Sequence, residues 1–185
     1  SNAEVSAILN HMYGTNATTI LKGGQDLDTY YEYRPSRNLR YRFRLNATAC
    51  LVEGYDAIQI TRRSIPTDPP SIADMDLPDV LIDAIAPEDG VVYVTGSTGS
   101  GKSTLLASIV AEIESSKECN RQILTYESPI EFVYDSIPKH SCVVSQSEIP
   151  RHIPSFSDGV RNALRRKPRL ILVGESRDLE TIDAV

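Results

Sequence analysis

Residues Gly96, Ser97, Thr98, Gly99, Ser100, Gly101, Lys102 and Ser103 fill every required place of the phosphate-loop pattern, two glycine positions bracketing four free ones before Lys and Ser. The chemistry explains the spelling. A polyphosphate needs several N–H donors converging on it, and glycines at 96, 99 and 101 let the backbone curl into such a nest. A helix following the loop would aim its positive end at the phosphates. Lys102 offers a mobile cation to the β- and γ-phosphates, the Ser103 hydroxyl is of the type that ligates magnesium, and Thr104 continues the same turn. The pattern lies between the apolar run Val91–Thr95 and the apolar stretch Leu105–Val110, the strand–loop–helix setting this chemistry requires. No third glycine follows Gly101, which disfavours a dinucleotide site, and no Asn-Lys-x-Asp guanine signature occurs. ATP and Mg2+ are therefore the expected ligands.

Binding alone is not hydrolysis, which also needs an acid near the magnesium and another to orient water. Two acids stand in suitable places. The buried-strand run Leu170–Val173 ends in Gly174 and Glu175, and the run Gln122–Tyr126 ends in Glu127. In a parallel sheet both strand ends open on the edge where a phosphate loop sits. An acid at a strand end also caps helices or faces solvent, so either one alone is a weak signal; the two together behind a complete phosphate loop favour catalysis. Glu131 reads either as part of that set or as a structural ion-pair partner.

The elements that must position these residues can be read from periodicity. Val5, Ile8, Leu9 and Met12 follow helical spacing, and Gly14 stops it. Asp28–Tyr33 is a strand by composition. From Leu39 to Ala49, Leu39, Tyr41, Phe43 and Leu45 alternate with Arg40, Arg42, Arg44 and Asn46, giving a half-buried strand with a row of guanidinium groups. Asp56–Arg62 is a third strand. Pro66, Pro69 and Pro70 then mark a linker, since three prolines so close hold neither ladder nor helix. Beyond it the pattern becomes α/β: a short helix near Pro78–Ala86, a strand at Gly90–Thr95, a helix from Lys102 to about Ser116 and a strand at Gln122–Glu127. A short strand near Cys142–Ser145, a helix from about Asp158 to Arg166 with Ser155 spaced as its cap, a strand at Arg169–Val173 and a helix after Asp178 complete it. Short apolar strands interleaved with helices imply a parallel sheet covered on both faces.

Composition bounds the rest. Hydrophobic residues at 41% and charged residues at 24% are the balance of a globular protein, and no apolar run suits a membrane span. Ser1-Asn-Ala3 has the look of a tag scar. Cys50, Cys119 and Cys142 lie far apart without a CxxC pair, which reads as reduced thiols. The net charge of −6 is concentrated: residues 67–150 hold four Lys/Arg against fourteen Asp/Glu, whereas residues 1–66 hold eight against six. An acidic chain is a poor non-specific nucleic-acid binder, and the change near residue 66 divides two units.

Together the motifs resemble the secretion-ATPase superfamily, the pilus-retraction motors and the ATPases of type IV secretion. The resemblance is carried by Arg42-Phe-Arg44-x-Asn46, Arg63-Ser-Ile-Pro66, the phosphate loop, Glu127-Ser-Pro-Ile-Glu131 and Leu172-Val-Gly-Glu-Ser-Arg-Asp178. The segments Tyr126–Tyr134, Ser145–Arg151 and Arg161–Leu170 look closest to the type IVB (Dot/Icm) branch. It implies a hexameric, cytoplasmic motor peripherally associated with the inner membrane, with secretion-machine components as partners and no direct nucleic acid. Its fold would be a RecA-like ATPase domain preceded by a partial PAS-like domain. The expected division is a scar at 1–3, the PAS-like part at 4–66, a linker at 67–77 and the first part of the ATPase domain at 78–185, ending before the family's His box. His11, His140 and His152 do not match that box. Glu127 would activate water, Glu175 would be the atypical Walker B acid, and Arg42, Arg44 and Arg63 would reach the phosphates. Two departures stand out: Ser128 replaces an acid of the pilus branch, and Arg165–Arg169 is basic where that branch is acidic. A nucleotide-gated scaffold with little turnover and a RecA-like nucleic-acid-dependent ATPase remain as alternatives.

Overall fold

The computed structural model describes residues 2–185 other than 38, 86, 88, 118–121, 139, 140 and 177. Cys119, His140 and Arg177, named above, and Ala86 at the end of the expected short helix lie outside the described residues, as does Ser1. The chain divides into two compact units, Ser1–Thr67 and Asp68–Val185.

The first unit holds two helices, α1 (Asn2–Met12) and α2 (Ala17–Lys22), and an antiparallel meander of β1 (Leu27–Ser36), β2 (Leu39–Val52) and β3 (Tyr55–Ile65) in that order. Its core gathers Leu9, Ala17 and Leu21 from the helices with Leu27, Leu45 and Ala47 from the sheet. Because side chains alternate along a strand, packing Leu45 and Ala47 inward sends Arg40, Arg42, Arg44 and Asn46 to the opposite face. α2 has no strong periodic signature, since Thr18 and Thr19 are poor helix formers. Burial of Ala17 and Leu21 holds it in place instead.

The second unit begins with a 3-10 turn at Ile72–Met75 and the short helix α3 (Asp79–Ile85), and continues through α4 (Lys102–Ser115). There follow β4 (Gln122–Glu127), β5 (Val143–Glu148), α5 (Phe156–Ala163), β6 (Leu170–Val173) and α6 (Leu179–Ala184). The three strands form a parallel sheet in the order β5-β4-β6. β4 is its centre and is sealed from both sides. Ile123 packs in a cluster with Ala107 and Val110 of α4, and Leu124 and Tyr126 pack with Ala163 of α5. α5 opens on Ser155, whose hydroxyl accepts from the Asp158 N–H at 3.1 Å.

Two expectations need correction. The expected strand at Gly90–Thr95 does not form: Val91–Thr95 joins no ladder among the described residues, and Val91, Val92 and Tyr93 are exposed. Strand propensity supplies a conformation; a strand also needs a neighbouring backbone to bond, and that is a non-local requirement. The reading of all cysteines as free thiols holds for Cys50, whereas Cys142 is buried and disulfide-bonded.

Gly159 lies where α5 crosses β4. A Cβ there would come within 2.7 Å of the Tyr126 ring, closer than carbon atoms pack. Helix propensity would gain about 1 kcal/mol from alanine at this place, and overpacking costs about 1–3 kcal/mol. Gly159→Ala is therefore expected to be net destabilising in urea denaturation followed on the second unit; a midpoint at or above wild type would contradict the close approach.

Candidate active site

The loop before α4 is built as its residue types require. Gly99 and Gly101 take φ of 80° and 92°, in the left-handed region where a side chain is strained. Gly101 is also the N-cap of α4 and starts its ladder, with Leu105 N–H donating to the Gly101 carbonyl at 2.8 Å. A Cβ on Gly96 would meet the Ser100 hydroxyl at 2.8 Å, so the loop folds closely back on itself at this glycine. Gly96 to Gly101 are exposed, as is Ser103, while Lys102 and Thr104 are half-buried. Lys102 bends back over the loop, its Nζ donating to the Ser97 carbonyl at 2.7 Å.

At the end of β4 stands Glu127. Period-two alternation places it on the same face as Ile123 and Thr125, the face covered by α4. Its Oε1 accepts from Thr125 Oγ1 at 2.6 Å and from Gln146 Nε2 at 3.1 Å. Burial pushes its carboxyl above the ordinary 4.5; the Thr125 and Gln146 donors and the Glu131 N–H oppose the shift, and the Glu131 charge adds to it. Nearby, burial and the charges of Glu127 and Glu114 push the Tyr134 phenol up.

Glu175 follows β6, the strand adjacent to β4. Tyr126 pairs with Val173, and the Gly174 N–H donates to the Tyr126 carbonyl at 2.8 Å. The two acids thus leave the same edge of the sheet from neighbouring strands. A Cβ on Gly174 would sit 3.1 Å from the Tyr126 carbonyl, so the glycine lets the chain after β6 pass close against the β4 backbone where Glu127 begins. Ser128 Oγ donates to the Ile149 carbonyl at 3.0 Å, which ties it to the backbone after β5. Among the described residues no group of three or more His, Cys, Asp or Glu could hold a metal by itself. The hard oxygens of Ser103 and Glu175 nevertheless suit magnesium, which takes one or two protein ligands and fills its octahedron with water and phosphate oxygens.

Arg42, Arg44 and Arg63 belong to the first unit. β2 pairs Arg44 with Arg63 of β3, and Arg42 with Glu32 of β1. Arg44 binds Asp28 through two hydrogen bonds of 3.2 and 2.7 Å. Arg42 is buried, with Nε 3.5 Å from Glu32 Oε2 and its guanidinium 4.9 Å above the Tyr30 ring. Glu32 also meets Arg34 and Arg40. The expected row exists, therefore, as a carboxylate-paired one, with the exposed Arg63 beside Arg44 on the neighbouring strand.

Residues 72–185 match the family described as type II/IV secretion system protein. The chain belongs to that family. A solved structure of the ATPase DotB from Legionella pneumophila is 66% identical, covers all of this chain with a TM-score of 0.91, and is covered for 50% of its own length. The pilus retraction motor PilT with bound ADP is 31% identical over 97% of the chain, with a TM-score of 0.77 and 49% of its own length covered. Among curated relatives, the type IV pilus retraction ATPase PilT of Pseudomonas aeruginosa is 43% identical over 120 residues, 65% of this chain and 33% of its own length. The chain thus spans about half of the two solved structures and a third of that relative.

This secretion-family chain carries a site residue that sequence reasoning missed. Gln146 lies beyond the expected end of its strand at Ser145, and only the β4–β5 register brings it to Glu127. Among the described residues no helix is long and apolar enough to cross a membrane.

The raised carboxyl of Glu127 has a consequence for stability. A folded state that holds a proton more tightly than the unfolded chain is most favoured at low pH. It loses that advantage as pH rises from about 4.5 through the folded value. An amide at this position can accept from Thr125 and Gln146 through its oxygen and carries no charge to desolvate. Glu127→Gln is expected to melt above wild type at pH 8 and to converge with it near pH 4 in thermal scans. A variant less stable than wild type at pH 8 would contradict the assignment.

Proposed function

We propose that this chain is the nucleotide-handling part of an ATP-hydrolysing motor, assembled as a hexamer, that powers a type IV (Dot/Icm-like) secretion or conjugation system. The observation that carries the reading is the pairing, within one unit, of a left-handed glycine loop running into α4 with a clamped acid facing the α4 side of the sheet. The 66% identity to DotB along the whole chain supports the choice of system. In this reading residues 4–66 are the PAS-like part, 67–77 the linker and 78–185 the first part of the RecA-like domain. The protein works in the cytoplasm against secretion-machine components at the inner membrane.

The roles follow from the side chains. The N–H groups of Gly96–Gly101 with Ser97, Thr98 and Ser100 between them cradle the phosphates, and Thr104 lies in the same first turn of α4. Lys102 leaves the Ser97 carbonyl for the β- and γ-phosphate oxygens. Ser103 and Glu175 would hold Mg2+, which when bound neutralises charge on those oxygens. Glu127, with its proton affinity raised by burial, accepts a proton from the attacking water. Arg42, Arg44 and Arg63 are proposed phosphate contacts on the strength of the family resemblance alone. Asp28 and Glu32 would have to release Arg44 and Arg42 respectively.

Ser128 favours a second reading, a nucleotide-gated scaffold with little turnover, because this position supplies a hydroxyl already engaged with Ile149 instead of a carboxylate. Turnover separates the two. Steady-state ATP hydrolysis by the full-length protein is measured beside Lys102→Ala and Glu127→Gln, with assembly mass and nucleotide affinity recorded. The motor reading expects Lys102→Ala to lose binding and Glu127→Gln to bind normally while turning over at least about 100-fold more slowly. ATP binding without hydrolysis by wild-type hexamers would establish the scaffold.

A further inference from the structure

Glu127 has two side-chain neighbours whose geometry is more specific than packing requires. Thr125, two residues earlier on the same face, is fully buried, and its hydroxyl donates to Glu127 Oε1 at 2.6 Å. Gln146 reaches across from β5, where the parallel register sets it beside Thr125. Its amide nitrogen donates both to Glu127 Oε1 at 3.1 Å and to the Phe132 carbonyl at 2.9 Å. Two donors meeting on one oxygen remove rotation about the last bond of the glutamate. The second Gln146 bond anchors the clamp to the segment that follows β4.

We propose that Thr125 and Gln146 are positioning residues that fix the Glu127 carboxylate for proton abstraction from the water that attacks ATP. The proposal rests on the reading of Glu127 as the water-activating base. In the step, the water oxygen bonds to the γ-phosphorus, and the bond from that phosphorus to the β–γ bridging oxygen breaks, its electron pair leaving with ADP. The water proton ends on the Glu127 carboxylate. A free glutamate side chain samples several rotamers, and holding one of them costs conformational entropy. Donors already in place supply that order before substrate arrives. A base displaced by about 1 Å from its productive place loses on the order of 100-fold in rate.

A threonine at the centre of a sheet also has a purely structural explanation, since β-branched residues pack well there. The two roles make opposite demands on substitution. Valine keeps the shape of Thr125 and removes the donor; serine keeps the donor and leaves a methyl-sized gap.

The test compares steady-state ATP turnover of the full-length protein with Thr125→Val, Thr125→Ser, Gln146→Leu and Glu127→Gln, with nucleotide affinity and melting temperature measured for each. Positioning predicts that Thr125→Val and Gln146→Leu lose about 10–100-fold in kcat, with KM moving by no more than about twofold. Thr125→Ser retains kcat within about threefold, even if it melts lower. The reverse order at Thr125, with serine damaging and valine tolerated, overturns the proposal, as does an unchanged kcat in folded Gln146→Leu while Glu127→Gln is inactive. Turnover that survives in Glu127→Gln overturns instead the reading beneath it.

Discussion

β4 has four consecutive residues, Ile123 to Tyr126, at no more than 1% exposure, with α4 on one face and α5 on the other. A strand sealed so completely must satisfy its polar groups internally, because no water reaches them. The backbone does so through two parallel ladders. Two of its side chains do so at the strand's end, where the Thr125 hydroxyl finds Glu127 and Glu127 finds Gln146. Register then does the rest. Since β6 is bonded to the other edge of β4, the chain after Val173 must emerge beside Glu127, and Gly174 gives it space to do so.

The same arrangement sets stability against chemistry. A carboxyl at the margin of an apolar layer is harder to ionise than one in water, and three donors only partly offset that. Tyr134 and Glu131 sharpen the conflict, each sharing the neighbourhood with the same charge. An amide at this strand end would accept the same donors without a charge to desolvate.

How much of this was legible depended on how local each determinant is. Gln122–Glu127 reads directly as a buried strand ending in an acid, because its apolar run and its terminus lie in consecutive residues. The glycine spacing of the phosphate loop is equally local, and the left-handed angles at Gly99 and Gly101 follow from it. The alternation in β2 predicted a face of guanidinium groups, but not the carboxylates of Asp28 and Glu32 that pair with them, since those depend on the β1–β2 register. Gln146 escaped for the same reason. Val91–Thr95 shows the converse error, in which local propensity is strong and the neighbour it needs is non-local. α2 was hidden because burial of Ala17 and Leu21, more than any propensity, holds it.

Lys102 carries a further consequence. Its ammonium is already tethered to the Ser97 carbonyl of its own loop. In the proposed function, capture of an anion would exchange one partner for another, and its net affinity would be a difference between two bonds. A singly engaging anion would gain little over the internal tether, whereas a polyphosphate that also met the loop N–H groups would win through chelation. Discrimination by ligand length would then arise from the resting loop itself, with no dedicated gate.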